Sequence, residues 1–75
     1  MNTTMAKTKS GKTVHLPVFD EEFEQAVSEG SIGFCIACGA EAYGVEPDAR
    51  KYECEACSES KVYGLEELCI MGYVK

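Results

Sequence analysis

Cys35-Ile36-Ala37-Cys38-Gly39 and Cys54-Glu55-Ala56-Cys57 decide how this chain folds. Residues 39–53 separate the two pairs, a spacing within the range of structural metal sites. Two thiolates two residues apart can face one ion across a tight turn, where backbone N–H groups can hydrogen-bond the sulfurs. Gly39 relieves crowding where the chain leaves the first turn. Two such turns facing each other complete a tetrahedral shell of four sulfurs. The spacer is long enough for a strand out, a turn at Pro47-Asp48 and a strand back. Cys35, Cys38, Cys54 and Cys57 are therefore predicted to hold a structural Zn2+. Sulfur fills all four positions, whereas catalytic zinc keeps one open for water or substrate, so the pattern predicts a scaffold and not an enzyme.

The remaining composition says why a metal is needed. Among 75 residues, 45% are hydrophobic, but five of these are Cys. Val, Ile, Leu and Phe make up only about a fifth of the chain, the edge of what disordered chains show. A domain this small normally needs a disulfide, a metal or a partner. Two disulfides and free thiols are the alternatives for the cysteine pairs. No apolar stretch of signal-peptide length follows Lys7 and Lys9, and no run approaches the length that spans a bilayer. A cytoplasmic location is expected, and there metal ligation is favoured over disulfides. Iron is the other metal to weigh. Rubredoxins also use two Cys-x-x-Cys turns, but with more widely separated pairs and without helices, and Ser58 stands where a second glycine would.

The net charge is −6, unevenly spread. Lys7, Lys9 and Lys12 stand in residues 1–13 without an acid, while residues 14–75 hold all 13 acids against Arg50, Lys51, Lys61 and Lys75. Nucleic-acid affinity rests on Lys and Arg displacing counterions, so the acidic body weighs against non-specific DNA or RNA binding. It suits a basic protein surface, or solubility alone.

Residues 1–13 are polar, small and basic, and are expected to form a flexible tail preceding a single domain over 14–75. Ser10-Gly11-Lys12-Thr13 ends like a phosphate-binding loop but has Ala6 where that motif needs glycine. Val14-His15-Leu16-Pro17-Val18-Phe19 reads as a short extended segment that Pro17 confines to a sheet edge or places outside a sheet. Asp20 offers an N-cap, glutamates fill the next turn, and Gly30 supplies a left-handed stop, giving a helix over 20–29. Phe19, Phe23, Ala26 and Val27 form its apolar face. Short strands fit 32–35, 40–45, 50–54 and 61–63. Leu65, Leu68 and Cys69 mark one face of a closing helix over 65–71, stopped by Gly72, with Cys69 as a buried small hydrophobe. His15, the only histidine, is surplus to a four-sulfur site. Phe34, Tyr43, Tyr52 and Tyr63 are expected to shield the metal turns, with base stacking as the alternative.

Cys35-x-x-Cys38-Gly39, the stretch from Gly44-Val45-Glu46-Pro47-Asp48-Ala49-Arg50 to Cys54, and Val62-Tyr63-Gly64-Leu65-Glu66-Glu67-Leu68 together resemble small zinc-ribbon proteins encoded by bacteriophages and prophages. The resemblance covers about residues 31 to 72. It implies the same four cysteines as zinc ligands, no catalytic residue, and a phage-encoded module acting on a host protein. Pro47-Asp48-Ala49-Arg50 is also similar to a stretch in transcription modulators of the DksA/TraR type, which reach into RNA polymerase with a long helix. Here the N-terminal helix is about ten residues, and Val62-Tyr63 reads as strand. The expected fold is α+β: a rubredoxin-like zinc ribbon of short antiparallel strands with an N-terminal and a short C-terminal helix. The expected function is protein interaction, with nucleic-acid binding disfavoured by the acidic charge and no membrane binding. The alternative is a transcription-associated ribbon contacting RNA polymerase or nucleic acid through Arg50, Lys51, Lys61 and the basic tail.

Overall fold

A computed structural model describes residues 1–75. The chain runs β1 (Thr3–Lys7), β2 (Thr13–Pro17), α1 (Glu21–Glu29), β3 (Ile32–Cys35), β4 (Glu41–Tyr43), β5 (Val62–Gly64) and α2 (Leu65–Met71). This is an α+β fold: an antiparallel hairpin, β1-β2, beside an antiparallel sheet ordered β4-β3-β5. Neither helix is long and apolar enough to cross a membrane.

The start of α1 and the ends of both helices lie where local chemistry dictates. Asp20 accepts a hydrogen bond from the Phe23 N–H at 2.9 Å, satisfying one of the amides that a helix start leaves unpaired. That bond, with a second from Asn2, holds the Asp20 carboxyl below the usual carboxylate range. Gly30 and Gly72 close the two helices in the left-handed conformation. Phe23 and Ala26 are buried as their spacing requires, but Phe19 is 57% exposed, its ring tilted against Phe23 at 5.5 Å.

β3 is buried along its whole length. Its alternate side chains feed two clusters, one per face of the sheet. Ile32, Phe34 and Ile36 pack with Phe23, Ala26, Tyr63, Leu65 and Leu68. Cys35 packs on the other side with Val45, Ala49, Cys54 and Val62.

Residues 1–13 are not the expected tail. Thr3–Lys7 pairs in register with Thr13–Pro17, placing Thr4 opposite Leu16 and Ala6 opposite Val14. The five residues between them form the turn. Gly11 donates to the Thr8 carbonyl at 2.9 Å and has φ of 84°. A tight turn ending in a left-handed residue matches the twist of a hairpin, so the glycine serves a reversal and not a phosphate. β2 is tied onward: the His15 N–H donates to the Ile36 carbonyl at 2.8 Å.

The expected strand over 50–54 shrinks to one bridge, Tyr52 to Val62. Lys51 sits at φ of 55°, which breaks an extended run, and Cys54 already starts a turn. Arg50 turns instead to α2, its Nε 2.7 Å from the carboxylate of buried Glu67. That pairing also corrects one member of the expected face of α2, Cys69. Leu65, Glu67 and Leu68 are buried, while Cys69 is exposed. The loop carrying Pro47 and Arg50 covers the Glu67 side of the helix, and nothing comparable covers Cys69.

Glu46-Pro47-Asp48-Ala49 forms the predicted turn, with the Ala49 N–H donating to the Glu46 carbonyl at 3.0 Å. Pro47 then accepts from the Glu67 N–H at 3.1 Å, which caps the start of α2 from outside the helix. The approach is so close that a Cβ on Gly64 would overlap the Glu46 and Pro47 carbonyl oxygens. Gly64→Ala is expected to cost about 1–3 kcal/mol or more, because backbone has to move. Gly64→Ser should fare no better, although Ser is the stronger cap for an open helix. Urea midpoints of the metal-loaded variants check this; a Gly64→Ser variant as stable as the parent would refute the crowding.

Candidate metal centre

The four predicted cysteines come together. Cys35 ends β3, Cys38 lies in the turn after it, and Cys54 and Cys57 flank the facing turn. All four sulfurs lie within 4.8 Å of one another. Cys35 and Cys57 are 3.7 Å apart, and Cys38 and Cys54 are 3.6 Å apart. Four sulfurs at about 2.3 Å from a common centre would stand roughly 3.8 Å apart in a tetrahedron. The cage therefore has the size of a metal–sulfur shell, and none of its pairs is bonded as a disulfide. Cys35 and Cys54 are buried, while Cys38 and Cys57 reach the surface.

The two turns are built alike. The Gly39 N–H donates to the Cys35 carbonyl, and the Ser58 N–H to the Cys54 carbonyl, each at 2.8 Å. Both donors are left-handed, at φ of 81° for Gly39 and 65° for Ser58. Within each turn, backbone N–H groups face the leading sulfur: Ala37 and Cys38 toward Cys35, Ala56 and Cys57 toward Cys54. At Cys54 the amides, led by that of Cys57, outweigh burial and bring the thiol down to about 7. At Cys35 burial dominates and pushes the thiol up to about 12. Burial also raises Cys38.

Ser58 pays for a conformation that glycine adopts freely. Ser58→Gly is expected to raise the stability of the loaded protein by about 0.5–1 kcal/mol, after the extra freedom it gives the unfolded chain. Chemical denaturation would show it; an unchanged or lower midpoint would mean that the serine is not strained.

His15 is not a member of the cage, as its surplus to a four-sulfur site implies. Its ring covers Gly39 instead, with Nδ1 only 3.1 Å from where a Cβ there would sit. Hairpin β1-β2 thus seals the first turn from one side. Of the four aromatic residues expected to shield the centre, Phe34 and Tyr63 are buried in the cluster against the helices and not in the one that holds Cys35 and Cys54, whereas Tyr43 and Tyr52 are exposed. Cys69 stands apart from the cage on the surface of α2, where partial burial and the neighbouring Glu66 raise its thiol. Spacing alone found all four members of the cage. It missed the His15 cover, because the hairpin that delivers it pairs a polar stretch with no strong hydrophobic period.

No family model, curated protein or solved structure matches this chain.

Proposed function

We propose that the four thiolates hold one Zn2+ as a structural centre and that the folded ribbon is a small protein-interaction module. The closed four-sulfur cage carries this reading. A tetrahedral ion held by four protein thiolates has no position left for substrate, so its contribution is to folding. The acidic surface fits a partner of opposite charge better than a phosphate backbone. The resemblance to phage-encoded zinc ribbons is consistent with a host protein as that partner.

Metal content of protein purified without added metal tests the first half. One zinc per chain and no visible absorption support it; a coloured ferric tetrathiolate would assign iron and electron transfer instead. Affinity capture from host extract, comparing metal-loaded protein with a Cys54→Ala/Cys57→Ala control, tests the second half. A partner held by the loaded form alone supports the module. Capture of nucleic acid that salt releases steeply would favour the alternative, for which Lys12 and Lys61 share a second groove with Tyr63 and Tyr73.

Zinc binding should also depend steeply on pH. Cys35 and Cys38 are raised and so protonated at neutral pH, and loading must displace both protons. Apparent affinity is therefore expected to fall at least a hundredfold for each pH unit lost near neutrality, and faster below 7, where Cys54 is also protonated. Competition with a chromophoric chelator at several pH values measures the slope. A slope of one proton or fewer would contradict the raised thiols.

A further inference from the structure

On the face of the sheet away from the helices lies a groove of about 580 Å3. Sites of roughly 300–1,000 Å3 accommodate small ligands or single anchoring side chains. Its floor is small and apolar, from Ala42, Val45 and Val62. One aromatic ring, that of Tyr52, 41% exposed, flanks it; Tyr43 stands opposite Ile32 in the register and sends its ring to the other face of the sheet. Glu53 and Glu55 line it as well, and no Lys or Arg does; Glu41 borders it on β4 but turns its carboxylate to the Met1 ammonium, 4.0 Å away. One flank, β4, is an edge strand with β3 as its single neighbour. The Tyr52 ring is already fixed, since its hydroxyl donates to the Glu46 carboxylate. That bond holds Glu46 below, and Tyr52 above, their ordinary ranges.

We propose that this groove binds an arginine side chain presented by an extended segment of a partner protein, so deepening the interaction reading on which it rests. The chemistry of each wall matches one part of that side chain. The methylene stem lies along the apolar floor, as long cationic side chains do when their heads stay polar. The guanidinium stacks on a tyrosine face and pairs with the glutamates, a planar, two-pronged contact that an ammonium cannot make. The peptide backbone runs beside β4, where an edge strand has hydrogen-bonding groups to offer. The ordered Tyr52 lowers the entropy lost on binding.

The test uses the full, metal-loaded chain and a fluorescent peptide of alternating Arg and Ala, read by anisotropy, with Lys and Glu versions of the same peptide. The Arg peptide is expected to bind at least tenfold more tightly than the Lys version, and the Glu version not at all. Tyr52→Ala and the pair Glu53→Gln/Glu55→Gln should each weaken binding at least tenfold. Glu21→Gln/Glu24→Gln, on the acidic face of α1, should leave it unchanged. Metal content of each variant is measured alongside, so that loss of fold is not read as loss of contact. Equal binding of the Arg and Lys peptides, or weakening by the α1 pair and not by the groove variants, overturns the proposal. So does self-association abolished by both Tyr52→Ala and Lys9→Glu, which would assign the groove to the basic hairpin of a second copy. If the groove fails while capture from extract still yields a partner on the loaded form, the interaction module stands and only its address is wrong.

Discussion

Removing the metal is expected to unfold this protein. Chelation, or replacement of any one cage cysteine as in Cys38→Ser, should abolish the tertiary signal, and added Zn2+ should restore it in the chelated parent alone. The magnitudes decide this. Structural zinc contributes roughly 10–16 kcal/mol of apparent binding energy at neutral pH, against about 5–15 kcal/mol of net stability for an ordinary domain. The second cluster makes the dependence concrete: two of its five buried residues, Cys35 and Cys54, are themselves members of the cage. Without an ion they leave buried thiols around an unfilled centre, packed on little more than Val45, Ala49 and Val62. Near-ultraviolet circular dichroism of the tyrosines, or amide dispersion by NMR, reads the outcome. Cys69→Ser is the control, since that side chain is exposed and outside the cage, and it should stay folded and metal-bound. A chelated chain that kept its amide dispersion would overturn the zinc-dependent fold.

The next largest effect is expected from Phe34→Ala. Phe34 is fully buried on the central strand, immediately before Cys35, and packs in the cluster that joins β3 to both helices. Truncating a buried phenylalanine costs about 3–5 kcal/mol. Small domains rarely draw more than about 3–5 kcal/mol from a core, so the change removes most of what packing supplies here. The loss should surface as weakened metal binding, because binding and folding are one process when the metal-free chain is unfolded. At about 1.4 kcal/mol per tenfold, apparent zinc affinity should fall by roughly two to three and a half powers of ten. Chelator competition on the variant measures it. An affinity within threefold of the parent would mean that the cage forms independently of the helical layer.

Much of the architecture was legible because it is written in local chemistry. Asp20 and Gly30 bracket α1, and Gly72 stops α2, since caps act within a turn of the residues that supply them. Ile32–Cys35 was legible as a strand by its apolar run beside a turn. The strand over 50–54 was not, because its loss depends on Lys51 entering a left-handed conformation while Arg50 reaches a helix far along the chain. Ser58 departs from glycine in the sequence, and only the tertiary structure shows it taking the glycine conformation unchanged.

What the residues alone determined is the four-sulfur set, the start of α1 and the stops of both helices. Two Cys-x-x-Cys turns need no distant information to present their thiols, and a cap is made by its neighbours. Tertiary structure decided the rest. Thr3–Lys7 became a strand only because Thr13–Pro17 lies opposite it, and its weak alternation acquires a meaning only in that register. The buried side of α2 turned toward Glu67 and away from Cys69 because the Pro47–Arg50 loop docks there, supplying both a carbonyl for the helix start and a cation for the carboxylate. A seven-residue helix with two leucines is compatible with either rotation, and only the element packed against it selects one.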